Sequence, residues 1–428
     1  MRTLITGGTV VSMDPAIGDL GRGDVLITDG VITEIADRIE AADAEVIDAT
    51  GRIVLPGFVD THRHTWQTAF RGLGADWSFE DYLIAVHGTV KPHYQPEDVY
   101  LGNLLGRLEA LHSGVTTMFD WFHAALTPAH ADAALAGLRD APGRSIFGYG
   151  AGYRTEERIA AEVRRVHSGV SAGGLVTLAL ALRGPGEAPM GTVAEDVQLA
   201  DELGLRTTVH VDGLNGNRPI TELMRRDLLR DTTTFVHGNG LADDELRMIA
   251  DAGASVSISP DVELKMGFGW PETGRMLAAG LRPALSIDDC PAVGGDMFST
   301  MRTTLSAQRG LDGGLSSRDV LSFATVDGAH ACGLGSQIGS LTPGKAADII
   351  LVRADDLTMF PLNHPAGALV TAGHPGLVDT VLVAGRVVKR DGVLVDVDLT
   401  ALKARLLESR DRIAAAAGIA VDGTWSPS

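Results

Sequence analysis

The chain has 428 residues, 45% of them hydrophobic and 21% charged, and 36 Lys+Arg against 55 Asp+Glu leave a formal net charge of −19. That length fits two domains or one large barrel with an accessory domain, and the composition is that of a packed globular protein, not a disordered one. So acidic a surface repels phosphate backbones and anionic headgroups, which argues against nucleic-acid and membrane partners and says little about the substrate.

Two cysteines, Cys290 and Cys332, imply no disulfide framework and fit a reducing, cytoplasmic setting. The first residues lack the apolar run of a signal peptide, and no uncharged apolar stretch of about 18 residues predicts a transmembrane helix. Residues 1 to 56 read as short strands: Thr3–Ile5, Thr9–Ser12, Val25–Thr28, Val31–Ile35 and Glu45–Asp48. The Asp29-Gly30 pair between two of them is a hairpin signal. From Phe58 the pattern turns to alternation. Apolar runs at Thr116–Phe119, Leu175–Leu182, Thr207–Val211, Thr234–Val236, Ser255–Ser259 and Arg282–Ile287 alternate with amphipathic stretches such as Asp98–His112, Thr192–Leu203, Asp243–Ala252 and Glu272–Ala279. Repeated strand-then-helix reading predicts a parallel α/β core, but does not by itself separate a closed barrel from an open sheet. Strands return at Asp348–Val352, Asp379–Val383 and Arg386–Lys389, and Leu399–Ala417 reads as a strong terminal helix. If the two β flanks pair in space, they form one β-sandwich interrupted by the α/β core.

The chemistry collects at strand ends. Phe58-Val59-Asp60-Thr61-His62-Arg63-His64 closes an apolar strand with two histidines two residues apart, so both imidazoles share one side. Neutral imidazole is the commonest side-chain ligand for Zn2+ or Fe2+. Three later runs end likewise in a polar group: His210 after Thr207-Thr208-Val209, His237 after Thr234-Phe235-Val236, and Asp288 after Leu285-Ser286-Ile287. In a barrel all these ends converge on one face, where catalytic groups gather.

Two runs carry a family resemblance: Val54-Leu55-Pro56-Gly57-Phe58 through His64, and Ile338-Gly339-Ser340-Leu341-Thr342-Pro343-Gly344-Lys345-Ala346-Ala347-Asp348. With the strand-end set they resemble the amidohydrolase superfamily, in its cytosine deaminase-like and triazine hydrolase-like branch. The resemblance implies an α/β fold: a (β/α)8 barrel over residues 57–346, a small β-sandwich from residues 1–56 and 347–398, and a C-terminal helix and tail over 399–428. It implies one divalent metal, zinc with iron or manganese as alternatives, held by His62, His64, His210 and Asp288. His237 would face the water or the substrate, and Asp288 would also move protons. No lysine ends the run Leu175–Leu182, so neither a bridging carbamate nor a second metal is expected. A bound cation of this type lowers the pKa of water from about 15.7 toward 7 and so supplies hydroxide at neutral pH. The resemblance implies hydrolysis of a C–N bond of a small cyclic nitrogen compound, foremost deamination of an aminated heterocycle.

The chain also departs from that branch. Its deaminases carry a glutamate three residues after the fifth-strand histidine, where this chain has Gly213 in His210-Val211-Asp212-Gly213. Asp212 stands one residue earlier, as a turn residue or a substitute. The fourth strand exits through Arg183, where relatives place a histidine. Further expected pocket residues are Trp66, Gln67 and Trp121, whose aromatic members suit a flat heterocycle; Met266, Phe268 and Trp270 offer a second wall. These departures keep a second reading open, the opening of a cyclic amide or the displacement of another leaving group. A non-catalytic ligand-binding member is a third. Self-association through exposed helix faces such as Asp98–His112 is left open.

Overall fold

The computed structural model describes residues 1–151, 159–170 and 173–425. The N-terminal flank forms β1 (Arg2–Val11), β2 (Asp19–Thr28), β3 (Val31–Ala36), β4 (Glu45–Asp48) and β5 (Arg52–Pro56). The two stretches read as separate strands at the start are one strand, β1, whose register against β2 shifts twice between Ile5 and Val10. Asp29 and Gly30 both take positive φ, +49° and +83°, and Thr28 pairs with Val31. That is the tight hairpin the Asp-Gly pair predicts.

Eight strands then pair in parallel in chain order: β6 (Phe58–Arg63), β7 (Val115–Phe122), β8 (Arg144–Gly150), β9 (Val176–Ala181), β10 (Thr207–Val211), β11 (Thr233–His237), β12 (Ser255–Ile258) and β13 (Ala284–Leu285). The ring closes where β6 meets the segment after β13. There Asp288 N–H donates to His62 O and His64 N–H donates to Asp288 O, each at 2.9 Å. This closure settles the choice between barrel and open sheet. It also explains why β13 is shorter than the predicted Arg282–Ile287, since the chain leaves the ladder to bring Asp288 inward. One barrel strand, β8, was not among the predicted runs; it carries two glycines, Gly148 and Gly150. They are needed in the strand: a Cβ on Gly148 would lie 2.5 Å from Phe119, and one on Gly150 2.9 Å from Phe122 O.

The C-terminal flank adds β14 (Ile349–Arg353), β15 (Val378–Val383), β16 (Arg386–Arg390) and β17 (Val393–Leu394). β14 pairs antiparallel with β5, from Ile349 opposite Pro56 to Arg353 opposite Arg52, so both flanks meet in one nine-stranded sheet. Ile5, Val25 and Ile27 from one flank and Ile349, Leu351 and Leu382 from the other share a single apolar cluster. The terminal helix Leu399–Ala417 starts at an Asp398 cap and packs on the helix Pro96–His112, where Ser409 Oγ donates to Asp98 Oδ1 at 2.6 Å. Most of Pro96–His112 is therefore buried, and it does not offer the exposed face considered for self-association. Among the described residues no helix is long and apolar enough to cross a membrane.

Candidate active site

His62 and His64 point into the barrel mouth from the end of β6. Arg63, between them and itself buried, points the other way into an ion pair with the partly buried Glu109 at 2.5 Å. That alternation is the two-residue period of a strand, and it anchors the strand from behind while both imidazoles face the centre. His210 arrives from β10, His237 from the end of β11, and Asp288 from the segment after β13. Asp288 Oδ1 lies 3.4 Å from His62 Nε2 and 3.3 Å from His64 Nε2, and its Oδ2 lies 3.5 Å from His237 Nε2. His210 Nε2 faces His62 Nε2 at 3.2 Å. His237 and Asp288 both hold left-handed backbones, φ +68° and +71°. Such conformations cost about 1–3 kcal/mol each at non-glycine residues and gather at functional sites.

These atoms form a donor set. Within His62, His64 and His210, and again within His62, His237 and Asp288, the ligand atoms lie within 4.8 Å of one another. Burial pushes the His62 imidazole down to about 4, and burial also holds His210 well below the usual histidine range, so both rings present lone pairs at neutral pH. Two neutral ring nitrogens 3.2 Å apart need a proton or a cation between them. His64 Nδ1 donates to Trp121 O at 2.7 Å, which leaves Nε2 as the free lone pair on the side of the cluster. Burial opposes charge on Asp288, but its contacts with His62 and His64 outweigh that and hold the carboxylate well below its ordinary range. Three imidazole nitrogens and a carboxylate, pre-oriented and largely buried, fit a divalent cation.

The expected substrate residues fall in different places. Trp121 is in direct touch with the cluster, its ring centroid 4.5 Å from His210 and 5.6 Å from His64. Trp66 stands one layer back. Its Nε1–H donates to His123 Nδ1 at 3.1 Å, and it is His123 that lies against His64, the ring centroids 4.2 Å apart and the planes tilted by 31°. Gln67 is fully buried and turned sideways, donating from Nε2 to Tyr82 Oη at 2.6 Å. Arg183 is paired with Asp196 of the helix Met190–Leu203, to which its Nε and Nη2 donate at 2.8 and 2.7 Å. A buried guanidinium needs a carboxylate, and Asp196, itself buried, supplies one. Asp212 is exposed and accepts from Leu214 N–H at 2.9 Å, the bond of a turn residue.

The glycine at 213 has a steric cause. A Cβ there would lie 2.1 Å from Gly240 O, because Gly213 N–H donates to Asn239 O and the exits of β10 and β11 pack backbone to backbone. No glutamate fits at that position.

Several residues of the mouth escaped the sequence reading. His123 follows β7, and His87 lies 4.6 Å from it, ring to ring. His87 Nε2 is 3.3 Å from Tyr82 Oη, and Lys91 Nζ donates to His87 Nδ1 at 3.2 Å. Glu263, in the helix Pro260–Met266 after β12, lies 3.2 Å from His237 Nδ1. Phe268 packs edge-on against His237 at 5.1 Å, as the second aromatic wall requires, whereas Trp270 is half exposed on the rim.

A closed (β/α)8 barrel with this donor set at its mouth defines a metal-dependent hydrolase. The amidohydrolase family model matches residues 53–388, and the chain belongs to that family. It is 30% identical to a 5-methylthioadenosine/S-adenosylhomocysteine deaminase of Symbiobacterium thermophilum, over 96% of this chain and 99% of that protein. It is 29% identical to a 5'-deoxyadenosine deaminase of Methanothermobacter thermautotrophicus, over 91% of this chain and 94% of that protein. Among solved structures, an adenosine deaminase from Xanthomonas campestris with bound zinc matches with a TM-score of 0.88 at 26% identity, covering 96% of this chain and 98% of that one. A triazine hydrolase variant shares the fold with the same TM-score at 22% identity, over 96% and 99% of the two chains. The protein is a metal-dependent amidohydrolase that acts on C–N bonds other than peptide bonds, with a small-molecule substrate.

Proposed function

We propose that His62, His64, His210 and Asp288 hold one zinc ion, and that the enzyme hydrolytically deaminates an aminated nitrogen heterocycle in the cytoplasm. The observation that carries this reading is the convergence of Asp288 on His62, His64 and His237 within 3.3–3.5 Å, at a mouth walled by Trp121 and Phe268. The ion supplies a Lewis acid and a water of lowered pKa. Asp288, whose Oδ2 is turned to His237, takes the proton of the attacking water and returns it to the departing nitrogen. His237 Nε2 lies on the same side, 3.5 Å from Asp288 Oδ2, and faces the attacking water. The Trp121 indole and the neighbouring His64 and His123 rings give a flat ring an aromatic surface to lie against. Relatives along nearly the whole chain bear deaminase names, which supports ammonia as the leaving group.

One observation favours a second reading. The backbone contact at Gly213 excludes the carboxylate that the branch's deaminases place there, and hydrolysis of a lactam or displacement of another group needs only the ion, water and Asp288. Product analysis over amino-purines, amino-pyrimidines, pterins and amino-triazines separates the two. Free ammonia with an oxo product is the expected result; a new carboxylate with the exocyclic amine retained on the ring establishes the second reading instead.

A further inference from the structure

We infer that Glu263 is a positioning residue for the chemistry proposed above, holding His237 with its proton on Nδ1 and its Nε2 turned toward Asp288. Glu263 has no solvent exposure. Its Oε1 accepts Ser259 N–H at 2.8 Å and lies 3.2 Å from His237 Nδ1, while its Oε2 has no partner among the described residues. A carboxylate oxygen in this setting accepts, so the nitrogen facing it must carry the hydrogen. The other nitrogen, Nε2, is then the one presented to Asp288 Oδ2 at 3.5 Å. A helix turn alone would need only the Ser259 bond; the same Oε1 also faces His237 Nδ1, so this buried carboxylate has a second partner from another strand. The arrangement also answers the gap at Gly213. The fifth-strand exit is closed by backbone contact with Gly240, and this chain places its buried carboxylate behind the sixth-strand histidine instead. The logic is that of a carboxylate that fixes a histidine's tautomer and orientation without touching substrate.

The inference rests on the metal-hydrolase reading for its kinetic consequence, but its core is readable without any substrate. In 15N-histidine-labelled, zinc-loaded protein, His237 should show a protonated Nδ1. In Glu263→Gln the carboxamide can turn its NH2 toward the ring, and the proton should move to Nε2. Zinc content and Tm should stay at wild-type values, while kcat for the panel compound turned over fastest falls about 10–100-fold with KM changed less than threefold. Glu263→Asp, which keeps the charge on a shorter arm, should recover part of kcat. An unprotonated Nδ1 in the wild type overturns the inference outright and needs no variant. So does a Glu263→Gln enzyme with unchanged tautomer and kcat within twofold. If no panel compound releases ammonia while His237 carries its proton on Nδ1, the deaminase reading fails and the positioning role stands.

Discussion

Arg107, at the N-terminal end of the barrel strands, and His62, at their C-terminal end, are both wholly buried, yet their surroundings are opposite in kind. The Arg107 guanidinium donates to Ser145 Oγ at 3.1 Å and to the carbonyls of Val115, Thr116 and Arg144 at 3.0, 2.5 and 3.2 Å. Arg144 in turn pairs with Asp348 at 3.0 Å, and Asp348 accepts Ala384 N–H at 2.7 Å, tying barrel to flanking sheet. At the mouth, His62 Nδ1, Trp121 Nε1, Gln67 Oε1 and Glu263 Oε2 are buried without partners among the described residues. Leaving such a group unsatisfied costs about 1–3 kcal/mol, a cost that a bound ion, water or ligand can remove. The lower end of the barrel spends its buried charge on cohesion. The upper end holds its polar groups open for chemistry, a division expected of this fold.

Substitutions at the two ends should therefore separate activity from stability. Asp288→Asn should lower turnover by about 10²–10⁴-fold, the usual contribution of a positioned acid–base group, without lowering the Tm of the metal-free protein. A comparable loss of Tm would show that the mouth is structural. Arg107→Met should do the reverse, costing about 3–5 kcal/mol in urea unfolding because it strands buried partners, with kcat per folded molecule unchanged. Activity lost in proportion beyond unfolding would erase the contrast.

The mouth should also be the end that senses acid. With the His62 imidazole pushed by burial from 6.5 to about 4, the unfolded chain binds a proton between those values that the folded chain refuses. Metal-free protein should thus lose stability through His62 as pH falls from about 6.5 to 4, and His62→Phe should remove that part of the slope. Urea midpoints at pH 7, 5.5 and 4.5 for both proteins test it; identical slopes contradict a neutral, buried His62. The smallest expected effect is at Trp66, one layer behind the site. Trp66→Phe removes the donor to His123 Nδ1 and should change kcat/KM by about fivefold, the worth of one hydrogen bond of about 1 kcal/mol. A hundredfold loss in steady-state kinetics would move Trp66 into the pocket itself.

The metal-ligand candidates were legible because each closes an apolar run: His62, His64, His210 and Asp288 are the polar ends of strands, and a parallel barrel brings such ends together whatever the loops do. The substrate side was not legible in the same way. Trp66 comes to stand behind His123 only once the turn Thr65–Phe70 folds against β7, and Arg183 finds Asp196 thirteen residues on, in the helix Met190–Leu203. Glu263 gave little local signal beyond lying near the start of a Pro-initiated helix; its meaning depends on His237 arriving from another strand. Strand β8 was hidden for a related reason, since its glycines serve neighbours that are distant in sequence.

The central claim, that the mouth holds a single divalent ion on the strand-end histidines and Asp288, is tested most directly by elemental analysis of purified wild-type and His62→Ala protein side by side. The account predicts about one zinc per wild-type chain and none in the folded variant, with activity lost alongside the metal. A His62→Ala protein that keeps wild-type metal content or turnover would contradict it.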